Sequence, residues 1–308
     1  MTLFDSYVNL LRSQTETMSA AIAGVNSITV TPFDAAYETP DDFSERIARN
    51  QQLLLKEESH FDKIVDPAGG SYYIEVLTDS LATEAWKLFL KVQEEGGIVE
   101  YAKKGLVQDD VIASDTKRHT LAAQSREFIL GTNQFPNFIE HSDGKTPMAC
   151  CCKCADEGAP YKSINTSRLS SEFEALRLST EKAAKQPVAF MLTIGSLVWR
   201  QARAQFSCNF LASAGYKVVD NLGFNTVEEG VDAAVKAGAD IVVICSSDEE
   251  YAQYAIPAYN CLAGRALFVV AGNPECAEEL KAVGIENFIH VKVNQLETLK
   301  LFNQKLGI

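Results

Sequence analysis

Histidine is scarce in this chain: four residues in 308, His60, His119, His141 and His290. With so few imidazoles, no Ser-His-Asp or Cys-His set assembles from the sequence. His60 follows Glu57-Glu58 and reads as part of a surface cluster at a helix end. His119 sits beside Lys117 and Arg118 in a polar helix. His290 ends the last expected strand and is the one histidine close to a functional rim. Basic residues are also few, 28 against 41 acidic, for a net charge of −13. That balance argues against a nucleic-acid partner, and the pairs Lys103-Lys104 and Lys117-Arg118 read as solvated helix faces. No apolar run reaches the ~18 residues of a membrane span. In the N-terminal stretch Asp5, Arg12 and Glu16 interrupt any apolar core, so no secretory signal is read. A cytoplasmic location is expected.

Eight cysteines are too few for a disulfide scaffold at this length. Cys208, Cys245, Cys261 and Cys276 lie in hydrophobic segments and read as small buried hydrophobes. Cys150, Cys151, Cys152 and Cys154 form a conspicuous cluster near His141. Adjacent cysteines converge poorly on one ion and no second CxxC pair follows, so no metal site is assigned. Asp66-Pro67-Ala68-Gly69-Gly70-Ser71 lacks the lysine and spacing of a phosphate loop and reads as a tight turn.

Three regions follow from the patterning. Residues 1–130 read as mainly helical, with short β-prone stretches at Ile28–Thr31, 63–65 and 72–76. That is too few strands to close a domain. Residues 131–186 form a linker rich in Gly, Pro and Asn with a connecting helix within 168–185. Residues 187–308 alternate strands (188–193, 216–219, 240–245, 266–271, 287–290) with helices near 200–214, 226–237, 248–263, 274–283 and 294–304. Near-continuous apolar strands such as Ile241-Val242-Val243-Ile244 imply burial on both faces. The fold class is therefore α/β, a flavodoxin-like parallel sheet of order 2-1-3-4-5 preceded by helices. Ligands of such sheets sit at the carboxyl ends of the strands. There the loop Thr193-Ile194-Gly195-Ser196-Leu197-Val198-Trp199-Arg200 offers no histidine, cysteine or carboxylate, and protonated Arg200 has no lone pair to donate. Trp199 is placed to plug the space a cofactor tail would fill. The helix start at Gly195-Ser196 is only weakly suggestive of an anion site.

The ordered run Thr39-Pro40-Asp41-Asp42-Phe43-Ser44-Glu45-Arg46-Ile47-Ala48-Arg49-Asn50-Gln51, then Glu57-Glu58-Ser59, then Asp66 to Glu75, resembles the methylmalonyl-CoA mutase family. The likeness continues through Ala85-Trp86, Gly96-Gly97 and Gly131-Thr132-Asn133. Residues 187–308 resemble the family's cobalamin-binding domain. The resemblance implies that residues 1–130 are the C-terminal part of a (β/α)8 acyl-CoA mutase barrel, and hence that the chain is a fragment, a split product or a truncated form. It also locates the departures. The barrel segment that carries a histidine in catalytic members has Thr29. The cobalt-ligating Asp-x-His-x-x-Gly motif is matched by Val198, Arg200 and Arg203 in place of its aspartate, histidine and glycine. Ser246 is a remnant of a serine-rich loop, Gly272 a remnant of a glycine-rich one, and a late Thr-Pro-Gly turn is replaced at His290–Val293.

Such losses resemble those of the non-catalytic small subunit of a heterodimeric isomerase. Its partner would be a catalytic large subunit carrying adenosylcobalamin and interconverting methylmalonyl-CoA and succinyl-CoA. On that reading this chain has no catalytic residue and binds neither cofactor nor metal, nucleic acid nor membrane; self-association of the fragment is a further expectation. Two alternatives stand beside it: a cobalamin-binding acyl-CoA mutase subunit with non-histidine ligation, and a stand-alone mutase-binding or chaperone-like module.

Overall fold

The computed structural model describes residues 1–148, 163–164 and 167–308. The cysteine cluster at 150–154 lies outside the described residues. The chain divides into two compact units, one of Met1–Arg118 with Gly144–Arg168, the other of His119–Asp143 with Leu169–Ile308.

In the first unit, α1 (Val8–Ile22) and α2 (Asp42–Glu57) pack together. Polar groups fix the pair: the Gln51 amide donates to the Leu10 carbonyl (3.1 Å) and to Ser13 Oγ (2.8 Å). Asp41 starts α2 with a reciprocal cap, accepting from the Ser44 N–H (2.8 Å) while its own N–H donates to Ser44 Oγ (3.0 Å). A 3-10 turn at Phe61–Lys63 and the glycine turn lead into α3 (Tyr72–Glu94), which α4 (Ile98–Lys103) and α5 (Leu106–Ala123) follow. The apolar core is small, built on Leu3, Phe4, Phe33, Leu55 and Tyr101.

Three expectations for this region are corrected. Ile28–Thr31 forms no strand: the described residues offer no partner strand beside it, and a β-prone run without a partner has no ladder to join. Residues 63–65 are the end of the 3-10 turn and an irregular stretch, for the same reason. Residues 72–76 are the first turns of α3, since a short apolar run does not by itself tell strand from helix. The preceding turn favours the helix. Gly70 N–H donates to Glu75 Oε1 (3.0 Å), so a first-turn carboxylate ties the turn to the helix start.

The second unit contains α6 (Ser171–Glu181), β1 (Val188–Thr193), α7 (Leu197–Ala212), β2 (Lys217–Val219), α8 (Val227–Lys236), β3 (Ile241–Cys245), α9 (Tyr251–Leu262), β4 (Leu267–Ala271), α10 (Ala277–Ala282), β5 (Asn287–Ile289) and α11 (Gln295–Leu306). The sheet is parallel in the expected order β2-β1-β3-β4-β5. Strand alternation splits the core. Ala189 and Met191 face a cluster with Leu211, Tyr216, Leu299 and Phe302, whereas Phe190 and Leu192 face one with Val231, Tyr251, Ala255 and Leu262. Every residue of β1 and β3 is buried, which explains their unbroken apolar sequence. At the opposite end from the ligand rim, Asp240 receives the Val188 N–H (2.9 Å) and pairs with Lys185 (2.9 Å).

Candidate functional site: a rim closed by its own side chains

The carboxyl ends of the strands gather Ser196, Arg200, Arg203, Ser246, Asp248, Glu250 and Gly272. The turn after β1 is shorter than the sequence suggests. Only Ile194–Ser196 is loop, and Leu197 already opens α7, with the Arg200 N–H bonded to the Ser196 carbonyl (2.9 Å). Val198, Trp199 and Arg200 therefore project from the first helical turn. Ser196 is extended, and its N–H has a partner one loop away.

That partner is Glu250, just after β3. Its carboxylate accepts from the Ser196 N–H (3.2 and 3.1 Å), Ser246 Oγ (2.7 Å), Ser247 Oγ (2.8 Å) and the Ser247 N–H (3.3 Å). Desolvation opposes ionisation there. The hydrogen bonds from Ser246, Ser196 and Ser247 outweigh it and bring the carboxyl down to about 2. Gly195, at φ +80°, has no room for a Cβ beside this carboxylate. The helix start that a phosphate would seek is thus already occupied by an anion of the protein itself.

Two arginines close the remainder. Arg200 donates to the Gly195 carbonyl (3.3 Å) and the Leu222 carbonyl (2.9 Å), and its guanidinium lies where a Cβ on Gly223 would come within 2.5 Å. Arg203 pairs with Asp248 (2.9 Å) and lies over the Trp199 ring at 5.9 Å. Gly272, at φ +148°, sits against this pair, where a Cβ would be 3.0 Å from Asp248 Oδ1. Trp199 is 53% exposed, a correction to its expected role as a plug. Its place in the outer first turn of α7 points it to the surface, where it lines an acidic groove of about 390 Å³ with Ser196, Ser247, Asp248, Glu249 and Glu250.

A separate cavity of about 280 Å³ lies beside α7, lined among others by Gln134, Phe135, Phe206, Phe210, His290 and Gln295. Burial, then Lys292 and Arg203, hold the His290 imidazole below its ordinary value, and Nδ1 accepts the Lys292 N–H (3.3 Å). Thr29 is exposed in the first unit and borders a shallow groove with Glu45 and Arg49. His119 Nδ1 lies 3.4 Å from Glu172. Among the described residues no group of three or more His, Cys, Asp or Glu side chains is placed to hold a metal ion.

The methylmalonyl-CoA mutase family model matches residues 1–156. The chain belongs to this family. It is 62% identical over 310 residues to the methylmalonyl-CoA mutase small subunit of Porphyromonas gingivalis, covering 100% of this chain and 50% of the relative. It is 34% identical over 314 residues to the small subunit of Streptomyces virginiae, covering 100% and 49%. A relative from Rhizobium meliloti named simply methylmalonyl-CoA mutase matches at 40% over 131 residues, 42% of this chain and 18% of its own length. The chain spans about half the length of the curated small subunits it matches along its whole extent.

The corrinoid that the resemblance implies would need a cobalt ligand and an open rim at the carboxyl ends of the strands. The turn after β1 and the start of α7 supply no donor for cobalt: Arg200 stands there, held by two carbonyls. The anion position at the helix start is taken by Glu250, and the Gly272 loop is covered by the Arg203–Asp248 pair. This rim does not fit the cofactor. Sequence reasoning missed Glu250, which carries most of the closure. Its signal was the run Ser246-Ser247-Asp248-Glu249-Glu250 directly after a buried strand, a carboxylate four residues from a serine at a ligand rim.

Proposed function

We propose that the chain acts as non-catalytic small-subunit polypeptide of an adenosylcobalamin-dependent methylmalonyl-CoA mutase, supporting a large subunit that interconverts methylmalonyl-CoA and succinyl-CoA. The observation that carries the reading is the self-occupied rim: an α/β domain whose ligand edge is closed by Glu250, Arg200 and the Arg203–Asp248 pair offers a folded surface without a reactive site. The names of the relatives agree with it. On this reading Thr29, Val198, Arg200, Arg203, Ser246 and Gly272 are relics of lost chemistry, residues 1–130 are the C-terminal part of a barrel, residues 131–186 a linker, and the cofactor resides in the large subunit. The work is done in the cytoplasm, away from nucleic acid and membrane. No helix among the described residues is long and apolar enough to cross a membrane.

The test has two arms. Adenosylcobalamin titrated into the purified chain, followed by absorbance and calorimetry, is expected to give no saturable binding tighter than ~10 μM, a limit of roughly −7 kcal/mol. A tagged chain co-expressed with a methylmalonyl-CoA mutase large subunit is expected to co-purify with it at a fixed ratio. One-to-one corrinoid binding by the chain, or no association with the large subunit, refutes the reading.

A further inference from the structure

Residues 119–143 fold with the α/β unit. Their turn is held from inside by buried Asn133. Its Oδ1 accepts the Ile129 N–H (2.7 Å), and its amide donates to the Ala122 (3.0 Å) and Glu127 (2.9 Å) carbonyls. Ser125 Oγ donates to Gln295 Oε1. The Gln295 amide donates in turn to the Phe210 carbonyl (3.3 Å) and Ser213 Oγ (3.2 Å), which ties the segment to α7 and α11. The cavity of about 280 Å³ lies between this segment, α7 and the connection from β5 to α11. It is apart from the space between α7 and the sheet. Ala202, Gln205, Phe206 and Asn209, which line it, share one face of α7, whereas Ala204, Cys208 and Leu211, which pack in the core, share the opposite face. Ser125 (φ +52°) and Phe135 (φ +49°) also line it and hold a left-handed backbone that such side chains rarely adopt. Strain of this kind gathers at ligand clamps.

The lining is uncharged. Among the described residues no Lys, Arg, Asp or Glu contributes to it, and His290, held below its ordinary value, is neutral at pH 8. Burying a charge without a partner is costly, so carboxylates and phosphates do not suit the interior. What the lining offers is amides beside aromatic rings. The side-chain amides of Gln124, Gln134 and Gln205 make no hydrogen bond to another described residue, and Phe135 and Phe206 stand in the same wall. The volume of about 280 Å³ lies just under the ~300–1,000 Å³ of drug-sized sites, which suits a molecule of one or two rings. Among planar heterocycles, the edge of guanine calls for Arg or Lys and that of cytosine for Asp or Glu, whereas a Gln or Asn amide pairs with the N6 and N7 edge of adenine. Aromatic side chains supply the stacking surface. We propose that this cavity binds an uncharged adenine ring, as a free nucleoside or as the base of a larger molecule, stacked against the phenylalanines with its edge read by the glutamine amides. The proposal does not depend on the small-subunit reading.

Adenosine titrated into the full chain at pH 8, followed by calorimetry, tests this. One-to-one binding with a Kd below ~1 mM is expected, with guanosine and cytidine at least ~10-fold weaker. AMP is expected to bind no tighter than adenosine, because no cation lines the cavity to receive its phosphate. Amide exchange across residues 124–135 should slow on binding. Gln205→Glu puts a carboxylate into the cavity, and Phe135→Ala removes a stacking ring; both positions are exposed, so neither change touches the core. Each is expected to weaken binding at least ~10-fold with unchanged circular dichroism. Cyanocobalamin, which carries a corrin and a benzimidazole but no adenosyl group, is expected not to compete. Several results overturn the proposal: no saturable adenosine binding up to ~5 mM, equal affinity for the three nucleosides, AMP bound at least ~10-fold tighter than adenosine, binding left unchanged by either folded variant, or displacement of adenosine by cyanocobalamin.

Discussion

Glu250→Gln is the substitution that probes the closed rim most directly. The carboxylate accepts from four donors, the Ser196 and Ser247 N–H groups and the Ser246 and Ser247 hydroxyls, and its ionisation falls from an ordinary 4.5 to about 2. Taken at face value that shift is worth about 3 kcal/mol. The side chain is part-exposed, so screening reduces the figure, and about 1.5–2 kcal/mol is expected. The folded value lies below the unfolded one. The contribution is therefore complete above the unfolded value and fades as pH falls towards 2. About three-fifths of it is gone by pH 3. Glutamine keeps the shape and one acceptor but loses the charge, so the gap between the two proteins should close over the same window. Urea unfolding at pH 7, 5, 4 and 3, followed by far-ultraviolet dichroism, measures it. A gap under about 0.5 kcal/mol at pH 7, or one that stays constant to pH 3, refutes the claim that the charged form is what the rim binds.

Gly223→Ala is expected to lower stability by about 1–3 kcal/mol in thermal unfolding, because φ is +120° and the new Cβ meets the Arg200 guanidinium; an unchanged midpoint contradicts this. Burial pushes the Cys208 thiol up to about 12 and raises that of Cys245 as well. Both should resist iodoacetamide at pH 8 in the folded protein and react in urea, as read by peptide mass spectrometry.

The α/β unit was legible from periodicity because each signal had one structural meaning. Ile241–Cys245 reads as a doubly covered strand, and burial on both faces is what the sheet provides. Five such units with short connections leave the 2-1-3-4-5 order as the natural arrangement, and the structure has it. In residues 1–130 the same signals had two meanings. Ile28–Thr31 has strand composition but no strand beside it, and Tyr72–Val76 is as apolar as a strand yet begins a helix. Composition states a preference for burial; which element satisfies it depends on what the fold places alongside.

The rim divides in the same way. The lack of a donor in the turn after β1 is a property of residue types, and no folding changes what Arg200 can ligate. That absence, the alternation of apolar strands with helices and the run of family residues from Thr39 to Glu75 are local matters, complete once the order of amino acids is known. The closure of the site is not local. Glu250 meets Ser196 across 54 positions of chain, and Arg203 meets Asp248 across 45. Hydrogen bonds and ion pairs between distant residues exist only after the strands have set their registers, so the anion that fills the helix start was decided by tertiary structure alone.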